Sequence, residues 1–323
     1  MTKKITLPNS LDGKTFLIAG AAGFVPGHVA EFYLNMGAKV IGLDNFITGT
    51  QSTIDILSKF PKFEFHQCDV SLGLPQISEK IDFVLSLASP ASPIDFSEIP
   101  MEIMRVNTYG TWNLLDLAKQ KGARFLEAST SEVYGDPEIH PQVETYYGNV
   151  NTVGPRSCYD ESKRFAETLT HNYNFKYNVD TRIIRIFNTY GPRMRPNDGR
   201  VIPNFINQAI EGKDLTVYGD GSQTRSFCYV DDLVQAIHNV LFSNDHTPFN
   251  CGNPDEYSIK ECAEHVIKFL SSSSKISYQP IGKDDPKVRR PNLDKLQAIS
   301  DYKPMMSFEE GIKRTAEYFK SLK

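Results

Sequence analysis

A short apolar run, Thr15 to Ala19 (TFLIA), passes directly into Gly20-Ala21-Ala22-Gly23-Phe24-Val25-Pro26-Gly27 and then into a stretch of helical period from Pro26 to Met36. No other feature narrows the fold as much. Glycines let the backbone turn tightly and approach a pyrophosphate, whose charge the N-terminus of the next helix favours. A glycine turn alone would describe any tight βα connection. Flanked by a strand and a helix, it predicts a dinucleotide site. Further strand-like runs follow at Lys39 to Asp44, Phe63 to Gln67, Asp82 to Ala88, Arg124 to Ser129 and Thr181 to Phe187, several of them continuously apolar as suits strands buried on both faces. Helices are predicted between them at Gln51 to Phe60, Ile99 to Lys121 and about Cys158 to Asn178. This alternation implies an α/β fold with a Rossmann-type, doubly wound parallel sheet.

Beyond Asn188 the texture changes. NTYGPRMRPNDGR is rich in Gly, Pro and Arg, and the later elements no longer alternate regularly, which marks a smaller C-terminal α/β unit. The expected division is 1–187 with about 227–251 for the dinucleotide domain, and 188–226 with 252–323 for the substrate domain. Ser271 to Ser274 reads as a loop between a helix ending near Leu270 and the strand KISY.

The 323 residues are 40% hydrophobic and 23% charged, which excludes a disordered or membrane chain. A formal charge of -4, with no dense Lys/Arg cluster, supplies no basic field for nucleic acid or an anionic membrane surface. Cys68, Cys158, Cys228, Cys251 and Cys262 are odd in number and lack metal-ligand spacing, so reduced thiols and no metal are expected. The N-terminus lacks the apolar core of a signal peptide, and a cytoplasmic protein is the expectation.

Two side-chain patterns carry chemistry. Asp44 ends the second strand, 24 residues after Gly20, where a carboxylate would accept hydrogen bonds from adenosine ribose hydroxyls. Asn45 and Phe46 follow, with no immediate Arg or Lys for a 2′-phosphate, so NAD is favoured over NADP. Tyr159 and Lys163 stand four apart on one helix face, where an ammonium beside a phenol stabilises the phenolate and makes a general base. Alone, that pair would describe any wet helix face. Thr130, at the carboxyl end of RFLEAS, lies where ligands bind in such sheets.

Ser/Thr, Tyr and Lys in this order after a glycine turn resemble the extended short-chain dehydrogenase/reductase superfamily. LASPASP, ASTSEVYGDPEIHPQ, GPRSCYDESKR, RIFNTYGPRM, LTVYGDGSQTRSF, FNCGNP and DDPKVRRPN narrow the resemblance to the UDP-glucuronate decarboxylase (UDP-xylose synthase) family, over about residues 15 to 320. The resemblance implies an NAD site from Gly20, Gly23, Phe24, Val25, Asp44, Asn45, Phe46, Thr48, Gly49, Asp69, Val70, Leu87, Ala88, Ser89, Ser129, Tyr159 and Lys163. It implies a sugar-nucleotide site from Pro90, Ser131, Asn188, Asn204, Tyr218, Arg225 and Arg289, with Arg290 competing for the last role. Pro26 departs from the pattern at the third glycine position, with Gly27 next where a Ser is usual.

It further implies that Tyr159 takes the C4 hydroxyl proton during oxidation, that Thr130 binds the same oxygen, and that Lys163 holds the ribose and tunes Tyr159. The C4 ketone is β to the C6 carboxylate, so CO2 leaves an enolate whose protonation and re-reduction give UDP-xylose. Glu132 is expected to be catalytic with Thr130, Tyr159 and Lys163, and with Ser131 it bears on neighbouring chemistries: a 4,6-dehydratase needs a general acid where Ser131 stands, and a 4-epimerase needs no carboxylate at Glu132, which argues for decarboxylation. Both remain alternatives, as do a non-catalytic NAD-binding sensor and release of NADH with a 4-keto product. The resemblance also implies a homodimer pairing the helices at Ile99 to Lys121 and Cys158 to Asn178.

Overall fold

The computed structural model describes residues 4–280 and 287–323; Asp284 to Pro286 of the DDPKVRRPN motif lie outside them. In chain order the first elements are β1 (Thr15–Ala19), α1 (Phe24–Asn35), β2 (Lys39–Asp44), α2 (Gln51–Leu57), β3 (Phe63–Gln67) and β4 (Phe83–Ser86). Next come α3 (Pro93–Glu98), α4 (Pro100–Arg105), a π turn at Val106–Gly110, α5 (Thr111–Lys121), β5 (Arg124–Thr130), a 3-10 turn at Ser131–Tyr134, α6 (Ser157–Tyr177) and β6 (Thr181–Ile186). The remainder comprises β7 (Thr189–Tyr190), α7 (Val201–Ile210), β8 (Leu215–Tyr218), β9 (Thr224–Ser226), β10 (Cys228–Tyr229), α8 (Val230–Leu241), β11 (Phe249–Cys251), β12 (Glu256–Ser258), α9 (Ile259–Phe269), β13 (Ile276–Gln279), β14 (Val288–Arg289), α10 (Asp294–Ile299) and α11 (Phe308–Ser321).

Seven strands form one parallel sheet in the order β11-β6-β5-β4-β1-β2-β3. The connection reverses between β1 and β4, so a crevice opens at their carboxyl ends, the place where doubly wound sheets bind ligands. All six strand-like runs of the sequence lie in this sheet. β4 is shorter than its apolar run, ending at Ser86, and Leu87 and Ala88 turn into the crevice instead. β11 adds an edge strand that the sequence reading did not separate out.

The predicted helix from Ile99 to Lys121 begins at Pro100, which needs no N–H donor at a helix start. It is not uniform: the turn Val106–Gly110 is π-helical. Within it Asn107 Nδ2 donates to Ser162 Oγ of α6 at 2.9 Å, so the extra residue in the turn reaches the helix that bears Tyr159.

Two principal buried clusters hold the chain. One joins the β1 face of the sheet to α1, α8 and α10, including Leu293, Leu296 and Ile299; the other joins α7, α9 and α11 under β8. A third fills the opposite sheet face with Leu17, Ile41, Phe125, Leu169 and Tyr173. Among the described residues no helix is long and apolar enough to cross a membrane, and none of the five cysteines is in a disulfide.

Candidate active site

The glycine turn works by close approach. Gly20 has φ +86°, and a Cβ there would stand 2.8 Å from Cα of Ala88; only glycine fits both constraints. Gly23 precedes the first residue of α1, so the free N–H groups of that helix face the crevice. Pro26 is the third residue of α1, where its missing N–H has no intrahelical partner to lose. The close packing associated with the third glycine is supplied one residue later: a Cβ on Gly27 would meet Cγ2 of Thr53 on α2 at 2.5 Å.

Asp44 ends β2 and faces the same turn. Its carboxylate accepts from the Ala22 N–H at 3.0 Å and the Phe46 N–H at 2.7 Å. Burial raises its carboxyl, while the N–H groups of Phe46 and Ala22 oppose the rise. Asn45 Nδ2 donates to Asp69, which also accepts from Ser71. These residues fit a dinucleotide: a glycine-walled cradle at a helix N-terminus, with a carboxylate at the end of the second strand.

A cavity of about 560 Å³ runs from this cradle to Asn204 of α7 and Tyr218 of β8. Gly20, Gly23, Phe24, Val25, Asp44, Asn45, Thr48, Asp69, Val70, Leu87, Ala88, Ser89, Pro90, Ser129, Thr130, Ser131, Glu132, Tyr159, Lys163, Asn188, Asn204, Tyr218 and Arg225 all line it. Phe46, Gly49 and Arg289 do not. Phe46 contributes its backbone N–H and sets its ring edge-on to Phe65, and Gly49 sits beneath Asp44, where a Cβ would come 2.9 Å from Oδ1.

The buried stripe of α6 explains how Tyr159 and Lys163 reach the cavity. Ala166, Leu169 and Tyr173 pack against the sheet, and the same face extended towards the helix start carries Tyr159 and Lys163 over the end of β5. The Tyr159 ring stacks on Phe96 with centroids 5.0 Å apart. Burial pushes its phenol well up, and a hydrogen bond with the Thr130 side chain pulls it down. Lys163 Nζ donates to the Ala128 carbonyl at 2.7 Å and to Glu127 Oε1 at 3.2 Å. Ser129 donates its hydroxyl to Glu167, which also binds Arg185 through both oxygens.

Glu132 follows Thr130 in the 3-10 turn and is clamped. Arg156 Nη2 reaches its Oε2 at 2.7 Å and Arg289 Nη2 reaches the same oxygen at 3.0 Å, while Arg289 Nη1 donates to the Ser131 carbonyl at 2.8 Å. Burial works against the Glu132 charge, yet the two guanidinium groups hold its carboxyl well below the usual range. Neighbouring Asp160 is raised, by burial and then by the Glu132 charge. Arg289, predicted at the diphosphate, thus lies behind Glu132. Arg290 is half-exposed and stands 3.9 Å from Glu256.

Sequence reasoning missed several cavity groups. Arg156 also packs over the Phe96 ring at 5.4 Å. Arg195 reaches Asp95 at 2.6 Å, and Arg200 Nη2 binds Asp198 at 2.9 Å. The Gly/Pro/Arg-rich texture of 188–200 was the available signal for the last two pairs.

Comparison with known proteins agrees with this geometry. The model of the NAD dependent epimerase/dehydratase family matches residues 16–252. UDP-glucuronic acid decarboxylase 1 of Danio rerio is 46% identical over 308 residues, covering 95% of this chain and 73% of the relative. UDP-glucuronic acid decarboxylase 1 of Arabidopsis thaliana is 46% identical over 306 residues, covering 94% of this chain and 69% of the relative. Among solved structures, the UDP-glucuronic acid 4-epimerase of Bacillus cereus, in complex with UDP-glucuronic acid and NAD, is similar with a TM-score of 0.84 and 27% identity over 96% of this chain and 100% of that one. UDP-glucose 4-epimerase of Thermotoga maritima gives a TM-score of 0.86 at 25% identity over 96% and 100%. The chain belongs to the NAD dependent epimerase/dehydratase family and, within it, to the UDP-glucuronic acid decarboxylases.

Proposed function

We propose that the chain converts UDP-glucuronate to UDP-xylose with NAD as resident cofactor. When bound, NAD supplies a hydride acceptor and donor for C4 of the sugar. Gly20, Gly23 and Asp44 hold it, with Asn45, Thr48, Asp69, Val70 and Leu87 to Ser89 around it. Tyr159 accepts the C4 hydroxyl proton, with Thr130 on the same oxygen, and Lys163 favours the phenolate by its charge. Oxidation at C4 makes the sugar a β-keto acid, so CO2 departs with the bonding electrons delocalised onto the C4 oxygen, where Thr130 and Tyr159 lie. Asn188, Asn204, Tyr218 and Arg225 take the UDP, and Pro90 and Ser131 border the sugar.

One observation carries the choice of reaction: the carboxylate after Thr130, Glu132, is held ionised between Arg156 and Arg289, and Ser131 beside it is no acid. Elimination of a C6 hydroxyl needs an acid there, so a 4,6-dehydratase is disfavoured. A 4-epimerase is the second reading, favoured by the solved 4-epimerase with UDP-glucuronic acid. Incubation with UDP-glucuronate separates them: CO2 and UDP-xylose are expected, and UDP-galacturonate without CO2 would overturn the decarboxylase reading. Free NADH accumulating in that assay would indicate release before the return step.

The same reading includes a cytoplasmic homodimer. Met101, Met104, Tyr109 and Trp112 on the α4–α5 segment and Phe165 on α6 are exposed large apolar groups, which supports pairing of these helices with a second copy. Sedimentation of Trp112→Glu as a monomer, against a dimeric parent, would test it.

A further inference from the structure

β5 lies in the middle of the sheet, and a strand covered on both faces should be apolar throughout. Among its buried positions, Glu127 is the charged one. Glu127 is fully buried, on the face of β5 that also carries Phe125 and Ser129 and that packs beneath α6. Its Oε1 lies 3.2 Å from Nζ of Lys163, itself 3% exposed. An isolated carboxylate could not persist there; its position makes sense only with the ammonium as partner.

We propose that Glu127 is a positioning residue for the reaction: it anchors the Lys163 ammonium against β5 and sets how much of that ammonium's charge reaches the Tyr159 phenol. This rests on the catalytic reading of Tyr159 and Lys163 given above. The ammonium has three N–H groups. Glu127 and the Ala128 carbonyl take two of them, which fixes the side chain and leaves one for a ligand hydroxyl or the phenol. The charges then compete: the phenolate that must form on Tyr159 and the carboxylate already present on Glu127 draw on the same cation. A fixed anion here makes the phenol a weaker acid than the lysine alone would, while holding the lysine in place.

The other groups facing Glu127 are few. Ser86 lies opposite it on β4 and hydrogen-bonds it. Glu167, one helical turn beyond Lys163, adds a further negative charge, already neutralised by Arg185 of β6. Burial raises the Glu127 carboxyl and Lys163 opposes the rise. The Tyr159 phenol itself is faced by the Thr130 side chain, by the charges of Glu132 and Asp160 and by the Arg200 guanidinium; Lys163 is the cation that Glu127 contacts, and so the one whose field it governs.

Two measurements on the full chain test this. In cofactor-free protein labelled with [13Cζ]tyrosine, the resonance missing from Tyr159→Phe reports the phenol. Glu127→Gln keeps an acceptor for Lys163 but removes the charge, so the titration midpoint of that resonance should fall by about one pH unit. In turnover of UDP-glucuronate, the acid limb of the kcat profile should move down by a similar amount. Glu127→Asp keeps the charge and should restore the parent profile with reduced kcat. A purely structural Glu127 would alter thermal stability and leave both midpoints in place. An unmoved midpoint, or one displaced upward, overturns the proposal. If the parent chain does not turn over UDP-glucuronate, the functional reading falls, while the tyrosine titration still decides the role of Glu127.

Discussion

Arg156 Nη2 and Glu132 Oε2 lie 2.7 Å apart beside the cavity, and Arg289 binds the same carboxylate oxygen from the far side. Removing the anion leaves two guanidinium groups facing each other in a desolvated place. Glu132→Gln should therefore cost about 3 kcal/mol at neutral pH, read as a lowered urea midpoint. The Glu132 carboxyl is depressed in the folded state, so its stabilisation is present above the ordinary carboxylate range and lost as pH falls through the folded value. The gap between parent and variant should close in strong acid; a gap that is constant with pH would contradict the assigned charge.

His238 gives an acid limb at higher pH. It is buried among the rings of Phe32, Tyr33 and Phe242, and burial pushes its imidazole down to about 4. Unfolded chain binds this proton below about pH 6.5, whereas the folded protein does not until about 4. Stability should fall across that window by about 3 kcal/mol on account of this group. His28, also held down to about 4 by burial and then Arg193, adds to the same slope. Urea unfolding of His238→Leu should show the slope reduced by about one proton. An unchanged slope would remove His238 from this account.

Tyr159→Phe keeps the ring that stacks on Phe96 and loses only the hydroxyl. Turnover should fall by about 10² to 10⁴-fold, with NAD affinity nearly preserved in a fluorescence titration. Retained turnover would place the base elsewhere.

Cofactor choice should follow Asp44. Its carboxylate is fixed by Ala22 and Phe46 at the end of β2, where a 2′-phosphate would meet like charge. NADP should bind about 100-fold more weakly than NAD by calorimetry, with the ratio narrowing in Asp44→Asn. Comparable affinity for both in the parent would show that the ribose does not lie against Asp44.

Much of this architecture could be read from residue order because the strands of a parallel sheet are continuous apolar runs, and TFLIA, KVIGLD and TRIIRIF leave little choice of element. Tyr159 and Lys163 were legible because helical period fixes their common face. Pairings between distant segments were not. Nothing near Glu132 in the chain announces that Arg289, 157 residues on, will bind its carboxylate, and no periodicity separates Arg289 from Arg290. Burial decides that: the β14–β9 register turns Arg289 inward and leaves its neighbour half-exposed. The π turn at Val106–Gly110 was invisible for a similar reason, since its sequence is compatible with an ordinary helix and the contact of Asn107 with Ser162 is tertiary.

Among the described residues, the two main clusters are threaded by one chain that passes between them at 186–190, 227–229, 230–233, 251–257 and 302–306. Neither lobe is a cassette. A graft exchanging the smaller lobe for that of another enzyme would have to rejoin the backbone at every one of these crossings, each in register with a strand or helix already packed. Changes of sugar-nucleotide preference along this lineage are therefore open to single replacements on the cavity wall and closed to recombination of whole lobes.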